Sequence, residues 1–350
     1  IKNTDDYTNN YAAGQGAVGT FAARTGGAWG NNLQVSTCPS ATAFEQEGAT
    51  TINDSSISVG DTQFTVTDGT ALNVGDILSI STTAATNDYD DGEQYRITGI
   101  STHDITIVQH PRGSGGVKRS FTDGANVRRR WEHYDLVDKA PGTSAYVSER
   151  GGSGDELHIV VVDEDGGITG TKGEVLEVYN ALSKASDAKT PQGETNYYPT
   201  VIQNKSNNIY WMDHNSSGTN WGNTASGTTF TSVTDVSNIS LANGSDGSAA
   251  TTAQRLTSYE YFEDAETVDV GLIIAGKCDA THIDNLITIA ENRKDAVVFA
   301  SPERADVVGV ASAATQASNV ISFFSGIRSS SYVMFDSGYK YMYDRYNDVY

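Results

Sequence analysis

The sequence predicts an α/β core with an all-β domain, a small barrel or sandwich, inserted near its start. Between about residues 50 and 130, apolar and polar residues alternate with the period of two that half-buried strands require. After residue 131, continuous apolar runs alternate with segments of helical period, which is typical of a sheet covered on both faces. A chain of 350 residues is long enough for about two domains. We therefore assign residues 1–48 and 131–350 to the α/β core and residues 49–130 to the inserted domain.

Short alternating runs separated by turn residues make up the predicted insert. The runs are residues 63–67, 77–80, 94–98 and 104–108. Asp, Asn, Gly and Pro fill the gaps at residues 68–69, 73–76, 91–92 and 111–116. Because no helix-period segment interrupts them, we predict short strands of a small antiparallel barrel or sandwich.

The apolar run at residues 157–163 predicts a buried strand that enters a turn at residues 164–167. Thr171 and Glu174 have the spacing of a capping box, and the apolar residues that follow fit one helix face, so we predict a helix over residues 171–184. Further strands are predicted at residues 268–274, 295–299 and 332–335, and further helices from Thr281 and over residues 315–326. The Ser-, Thr-, Gly- and Asn-rich residues 215–253 predict a long exposed loop or short edge strands.

Composition excludes several classes of protein. The chain has 23 basic and 44 acidic residues, a net charge of −21, which repels nucleic acid and anionic membranes. No apolar run approaches the ~18 residues that a membrane-spanning helix needs. Cys38 and Cys278 predict two reduced, buried thiols, with a single bridge as the alternative. The absent initiator Met and the aromatic-rich end at residues 339–350 lead us to expect a fragment or a processed chain.

Motifs that would carry chemistry are incomplete. Residues 14–19 fit G-x-G-x-x-G, but no buried strand precedes them as a dinucleotide site requires, which favours a glycine-rich loop. Residues 163–174 imitate a calcium loop but have Ile168 where the glycine belongs, so we interpret them as a tight acidic turn. The histidines lack zinc-site spacing, and His158 on an apolar strand is interpreted as a core histidine. The sequence therefore predicts no catalysis, no cofactor and no metal.

A basic cluster flanks the predicted exit from the inserted domain. It consists of Lys118, Arg119, Arg128, Arg129 and Arg130. One interpretation is a solvated hinge between the two domains. The other is an ionic contact with an acidic neighbouring copy of the chain, which makes these residues the candidate inter-subunit contacts.

Several strings taken together resemble the tail sheath proteins of contractile-tailed bacteriophages. Their order and spacing over most of the chain carry the resemblance, and the predicted insert contributes the least. The strings are residues 23–31 (ARTGGAWGN), 141–144, 155–188, 196–198 (NYY), 209–213 (IYWMD), 270–276, 289–302 and 335–344.

The resemblance implies a mechanical building block. Sheath proteins have an α/β domain with a subtilisin-like layout that lacks the protease's catalytic residues. They form six-fold rings stacked helically around a tail tube, and contraction drives the tube through the host envelope during genome delivery, using energy stored at assembly and no nucleotide. The implied partners are further copies of the chain, the tail tube protein, and baseplate and tail terminator proteins. The implied location is the virion tail, after assembly in the host bacterial cytoplasm, with no direct contact to nucleic acid and no membrane insertion.

Sheath proteins link neighbouring copies through N- and C-terminal arms, and neither end of this sequence resembles such an arm. We therefore expect residues 1–350 alone to be monomeric. The alternative function is a secreted carbohydrate- or surface-binding module, such as an adhesin. The acidic, Asn- and Thr-rich composition permits it, and so do Trp211 and Trp221, which we expect to be exposed.

Overall fold

The computed structural model describes residues 1–337 and 339–349, which form two compact units. The first unit is Ile1–Asp246 and the second begins at Gly247. The predicted boundaries of the insert lie inside the first unit, and the region 131–350 that we assigned to one α/β core is divided at Asp246. Whether residues 49–130 form a separable domain stays a prediction.

The first unit contains short helices and longer strands. Its helices are α1 (Thr4–Asn10), α2 (Ala41–Phe44), α3 (Ala145–Ser148) and α4 (Tyr198–Lys205). Its strands are β1 (Phe21–Ala23), β2 (Leu33–Cys38), β3 (Glu45–Thr51), β4 (Gln63–Thr65), β5 (Ile77–Ala84), β6 (Gln94–Ser101), β7 (Asp104–His110), β8 (Ala125–Arg130), β9 (Glu156–Asp163), β10 (Glu174–Ser183), β11 (Ile209–Trp211) and β12 (Ser237–Ser240).

The central sheet has the strand order β10-β9-β2-β12, and all its neighbours are antiparallel. Every residue of β9 is buried. Leu157, Ile159 and Val161 face the main core of the unit, while Val160 and Val162 face a second core around Trp131. The unbroken apolar run therefore did predict a strand covered on both faces, but its partners are antiparallel, unlike the parallel strands usual in such sheets.

The helix predicted over residues 171–184 is wrong, because these residues form β10. Two irregularities in its pairing with β9, at Val175/Glu177 and at Tyr179/Leu182, break the alternation of a regular strand. The resulting apolar spacing imitates a helical period. Before β10, Gly173 has a φ of 77° and its amide donates to the Asp163 carbonyl over 2.7 Å, which closes a hairpin.

The insert sheet has the strand order β3-β8-β5-β6-β7-β4 and is antiparallel throughout. Each run predicted as a strand lies in or overlaps one of these strands. The sheet surrounds its own core, whose largest members include Tyr95 and Phe121. Its strand ladders do not close, but one bridge, Ile52 to Val66, joins the two edges. A fully closed barrel stays a prediction.

The second unit is built on the parallel sheet β13-β14-β15. Its strands are β13 (Leu272–Ile274), β14 (Val297–Ala300) and β15 (Val333–Phe335), and its helices are α5 (Thr252–Glu260), α6 (Ala280–Arg293), α7 (Arg304–Val307) and α8 (Ala313–Ser325). The predicted strands and helices appear in order. Helix α6 starts earlier than predicted because Asp279, and not Thr281, caps it through the His282 amide at 2.8 Å.

Other expectations have mixed outcomes. Cys38 and Cys278 are buried and unbridged, as predicted. Residues 215–253 are irregular apart from β12 and the start of α5, yet they bury Trp221 and Phe230 and so are more than an exposed loop. Within the described residues, no helix combines the length and the apolar character needed to cross a membrane. The subtilisin-like layout stays a prediction.

Candidate assembly surfaces

The basic cluster lies mainly on β8, where the insert sheet joins the central sheet. Arg130 binds the carboxylate of Glu45, its cross-strand neighbour on β3, and its Nη1 lies 3.0 Å from Asp91 Oδ1. Arg128 binds the same Asp91 oxygen and lies over the ring of Tyr89, 4.7 Å from the ring centroid. Arg128 and Arg130 therefore form ion pairs with carboxylates of the same chain.

Arg129 is the most buried member of the cluster, with 1% of its side chain exposed. Its guanidinium donates to the carbonyl of Thr234 at 2.9 Å and to those of Thr42 and Ala43 at 3.4 Å. The nearest carboxylate, of Asp235, is 3.7 Å away and largely exposed. Arg129 therefore ties β8 to two other segments of the unit and cannot reach a neighbouring copy.

The remaining two members are more accessible. Arg119 is 30% exposed, lies 3.4 Å from Glu93 and donates to the Ile80 carbonyl at 3.0 Å. Lys118 is exposed, and its Nζ lies 3.4 Å from the Gly92 carbonyl. An inter-subunit role stays a prediction for these two, whereas Arg128 and Arg129 are buried parts of a joint. The solvated-hinge interpretation is wrong for the same two arginines.

Trp131 anchors this joint. It is fully buried, its amide donates to the Phe44 carbonyl at 2.8 Å, and its Nε1 donates to Ser36 Oγ at 2.8 Å. It thereby connects the end of β8 to α2 and to β2. The insert sheet is attached to the central sheet by hydrogen bonds and packing and not by a flexible linker.

Two titratable groups at the joint have strongly shifted pKa values. Burial raises the pKa of Asp76 to about 7, although the charge of Arg129 opposes the shift. Burial lowers the pKa of His133 to about 4, so this side chain is neutral at neutral pH. His133 and Gly75, the residue before Asp76, line an open cleft of about 1060 Å³ between the two sheets, together with residues such as Gln34 and Asn238.

The parallel sheet of the second unit has one covered and one open face. Ile273 and Val298 pack with α6 in the core. On the opposite face, Leu272 is 68% exposed and Ile274 is 72% exposed. The register pairs Ile274 with Phe299 and Phe299 with Met334, which places these side chains on one face.

This open apolar face borders a hollow of about 640 Å³ that Phe299 and Tyr339 help to line. Parallel sheets are almost always covered on both faces. A contiguous exposed apolar patch is typical of an interaction surface, whereas single exposed apolar residues are normal. No local signal in the sequence marks this surface, because the alternation within β13 is hidden in an apolar run that predicts full burial.

His158 and the acidic turn after Asp163, which we interpreted as structural, both make hydrogen bonds to backbone groups of the chain. His158 is fully buried, its Nδ1 accepts from the Ala181 amide and its Nε2 donates to the Lys139 carbonyl, both at 2.9 Å. Asp163 accepts from the amides of Ile168 and Thr169 at 2.9 and 2.6 Å, which makes the predicted acidic turn. Both interpretations are confirmed.

The glycine-rich residues 14–19 form a loop and a short 3-10 turn after α1, with no strand before them. A Cβ at Gly16 would lie 2.3 Å from the Asp213 carboxylate, which is a poor neighbour for phosphate. Across residues 1–337 and 339–349, no group of three or more His, Cys, Asp or Glu side chains is arranged to hold a metal ion.

One buried cation had no signal in the sequence. Lys184 is 1% exposed, and its Nζ donates to the carbonyls of Pro39, Gly154 and Glu156 at 2.7, 2.9 and 3.0 Å. Burial lowers its pKa to about 8. A lysine next to serine and alanine at the end of a strand would normally be assigned to the surface.

The aromatic residues that permitted a carbohydrate-binding role are not a surface platform. Trp221 is only 8% exposed, and Trp211 is half-buried. Both pack around His214, with ring centroids 6.4 and 5.2 Å from it. The expectation that both side chains are exposed is therefore wrong for Trp221, and Trp211 is only partly exposed.

No protein-family model matches the chain. Two curated tail sheath proteins align with it. The tail sheath protein of Salmonella phage ViI is 26% identical over 204 residues, which cover 56% of this chain and 29% of the relative. That of Enterobacteria phage T4 is 33% identical over 129 residues, which cover 32% of this chain and 19% of the relative. The chain is thus similar in sequence to parts of two phage tail sheath proteins.

These alignments confirm the resemblance to tail sheath proteins inferred from the sequence motifs. The matched stretches span less than a third of the length of either relative. Among the described residues, the open apolar face and Lys118 are exposed at the surface.

Proposed function

We propose that this chain is a structural subunit of a contractile phage tail sheath. In this proposal it polymerises as stacked hexameric rings around the tail tube, and contraction of the polymer drives the tube through the host envelope. The similarity to two tail sheath proteins supports the proposal most strongly. The open apolar face of the parallel sheet also supports it, because a subunit that polymerises must have surfaces that gain free energy when they are covered.

The partners follow from this role. We propose contacts with further copies of the chain, with the tail tube protein, and with baseplate and tail terminator proteins, within the virion tail and after assembly in the host cytoplasm. We also propose that the chain is not an enzyme and that its α/β part shares the subtilisin-like layout without the catalytic residues. The net charge of −21 makes direct contact with nucleic acid unfavourable.

Electron microscopy tests the proposal. Antibodies raised against residues 1–246 should label the tails of intact phage particles along their whole length, in both the extended and the contracted state. Labelling of heads or tail fibres alone, or labelling confined to one end of the tail, would contradict a sheath subunit. Antibodies against the tail tube protein are the matched control, since they should label only tails from which the sheath has been removed.

A further inference from the structure

Asp76 is a buried carboxylate at the joint between the two sheets of the first unit. It is 2% exposed and ends the turn 73–76 that leads into β5. Its Oδ2 accepts from the Asn73 amide at 2.7 Å, and its own carbonyl accepts from the Ile97 amide at 3.0 Å. Among the described residues, no Lys, Arg or His nitrogen lies within 4.0 Å of its carboxylate.

Arg129 acts on Asp76 through its charge but makes no hydrogen bond to it. The guanidinium of Arg129 donates its hydrogen bonds to three backbone carbonyls instead. A buried carboxylate without a close ion pair is costly in its charged form and takes up a proton instead, and the hydrogen bonds from Asn73 oppose this only in part.

The other groups around Asp76 do not remove this cost. Glu132, just after β8, adds a second negative charge and is itself paired with Arg96 of β6. The buried thiol of Cys38 on β2 feels the charge of Asp76 in turn. His133 is neutral at neutral pH and supplies no positive charge. Arg129 is thus the cation that stabilises the charged form.

We propose that Asp76 makes the joint between the insert sheet and the central sheet a proton-sensitive latch. With Asp76 protonated, the turn 73–76 packs against β8 without a buried negative charge. With Asp76 ionised, the same packing must bury that charge, and the joint opens more often. Asn73 and Gly75 of the same turn line the open cleft together with Glu132, so solvent comes close to the site.

The direction of the pH dependence follows from linkage. Burial raises the pKa of Asp76 from 3.8 to about 7. The stabilising contribution of this group is therefore complete below about pH 4 and is lost as the pH rises towards 7. His133 has the opposite sign, because its pKa is lowered from 6.5 to about 4, so the protein without Asp76 must serve as the reference.

Hydrogen exchange in the wild type and in Asp76→Asn tests the latch. The reporters are two amides: that of Ile97 donates to the Asp76 carbonyl within the insert sheet, and that of Trp131 donates to the Phe44 carbonyl of α2 at the joint. After correction for the intrinsic rate, the ratio of wild-type to variant protection should fall by up to about tenfold per pH unit between pH 4 and 7. The ratio for Val298 in the second unit should stay constant.

Asp61→Asn is the matched control. Asp61 accepts from the Ser58 amide at 2.8 Å in the same three-residue geometry, but it is exposed. A protection ratio that is independent of pH at Ile97 and Trp131, or an equal change with Asp61→Asn, overturns the proposal. If Asp76→Asn does not fold, the carboxyl carbon of Asp76 is titrated by NMR in the wild type. A midpoint near 7 then supports the latch and a midpoint below about 4.5 overturns it.

Discussion

The insert sheet and the parallel sheet treat their apolar side chains in opposite ways. Apolar residues of the insert sheet, such as Ile80, Tyr95 and Ile107, are at most 1% exposed and pack into one core. The parallel sheet buries one face and leaves Leu272 and Ile274 mostly exposed on the other. The insert sheet is therefore complete by itself, whereas the parallel sheet has an apolar face that becomes more stable when it is covered.

The largest expected effect comes from removing Trp131, the side chain that attaches the insert sheet to the central sheet. Trp131→Ala leaves a large cavity between the two sheets of the first unit, so we expect a loss of about 3–5 kcal/mol in the free energy of unfolding of that unit. All four tryptophans lie in residues 1–246, so tryptophan fluorescence in denaturant reports this unit alone. Tyr346→Ala, at a position 96% exposed, is the control and should change nothing. A loss under about 1 kcal/mol in Trp131→Ala would mean that the joint contributes little.

Two neighbouring residues of β13 test the open face directly. Ile273→Ala removes a core side chain and should destabilise the second unit by about 2–5 kcal/mol, while Ile274→Ala should change its stability by less than about 0.5 kcal/mol. Hydrogen exchange in α6 measures both. If the proposed polymer uses this face, Ile274→Ser should weaken polymer formation without loss of folding. Equal destabilisation by the two alanine variants would show that both faces are covered.

The sequence predicted the insert sheet better than the central sheet. Its strands alternate regularly, and turn residues such as those at 68–69 and 91–92 separate them. In β10 two irregularities disrupt the alternation, and the spacing of Val175, Val178 and Leu182 fits a helix equally well. Local spacing cannot decide between them, because β9 supplies the hydrogen-bond partners from a different part of the sequence.

The sequence indicated where the basic cluster lies, but not that part of it is buried. The basic cluster does flank the exit of the insert sheet, but burial of Arg129 depends on carbonyls 86 and 105 residues away in sequence. The buried Asp76 and Lys184 have no local signal at all, since charged residues are almost always exposed. The division at Asp246 follows from how contacts cluster in three dimensions, which no composition change marks.

The buried lysine gives a smaller effect with a distinct pH dependence. Lys184→Met leaves the carbonyls of Pro39, Gly154 and Glu156 without their donor, while it also removes a costly buried charge, so we expect a net loss of about 1–3 kcal/mol at pH 7. The pKa of Lys184 is lowered from 10.5 to about 8. Between these values the unfolded chain holds a proton that the folded chain lacks, so the wild type should gain stability relative to the variant as the pH rises from 8 to 10. Denaturant titrations by tryptophan fluorescence measure the difference, and a constant difference over this range would contradict it.

The smallest expected effect on stability separates the exposed part of the basic cluster from its buried part. Lys118 is exposed, and its Nζ makes a long hydrogen bond of 3.4 Å to the Gly92 carbonyl, so Lys118→Ala should change the stability of the first unit by less than about 0.5 kcal/mol. Arg129→Ala should cost several times more, because it leaves buried carbonyls unpaired.

Residues 1–350 alone should sediment as a monomer at micromolar concentration, since copies of charge −21 repel one another over a Debye length of about 10 Å at 0.1 M salt. Lys118 then matters only where a neighbouring acidic copy is held close, so Lys118→Glu should leave the monomer unchanged and weaken the sheath polymer in low salt. A polymer whose stability in low salt is unaffected by Lys118→Glu would place this corner of the insert sheet outside the contacts between subunits.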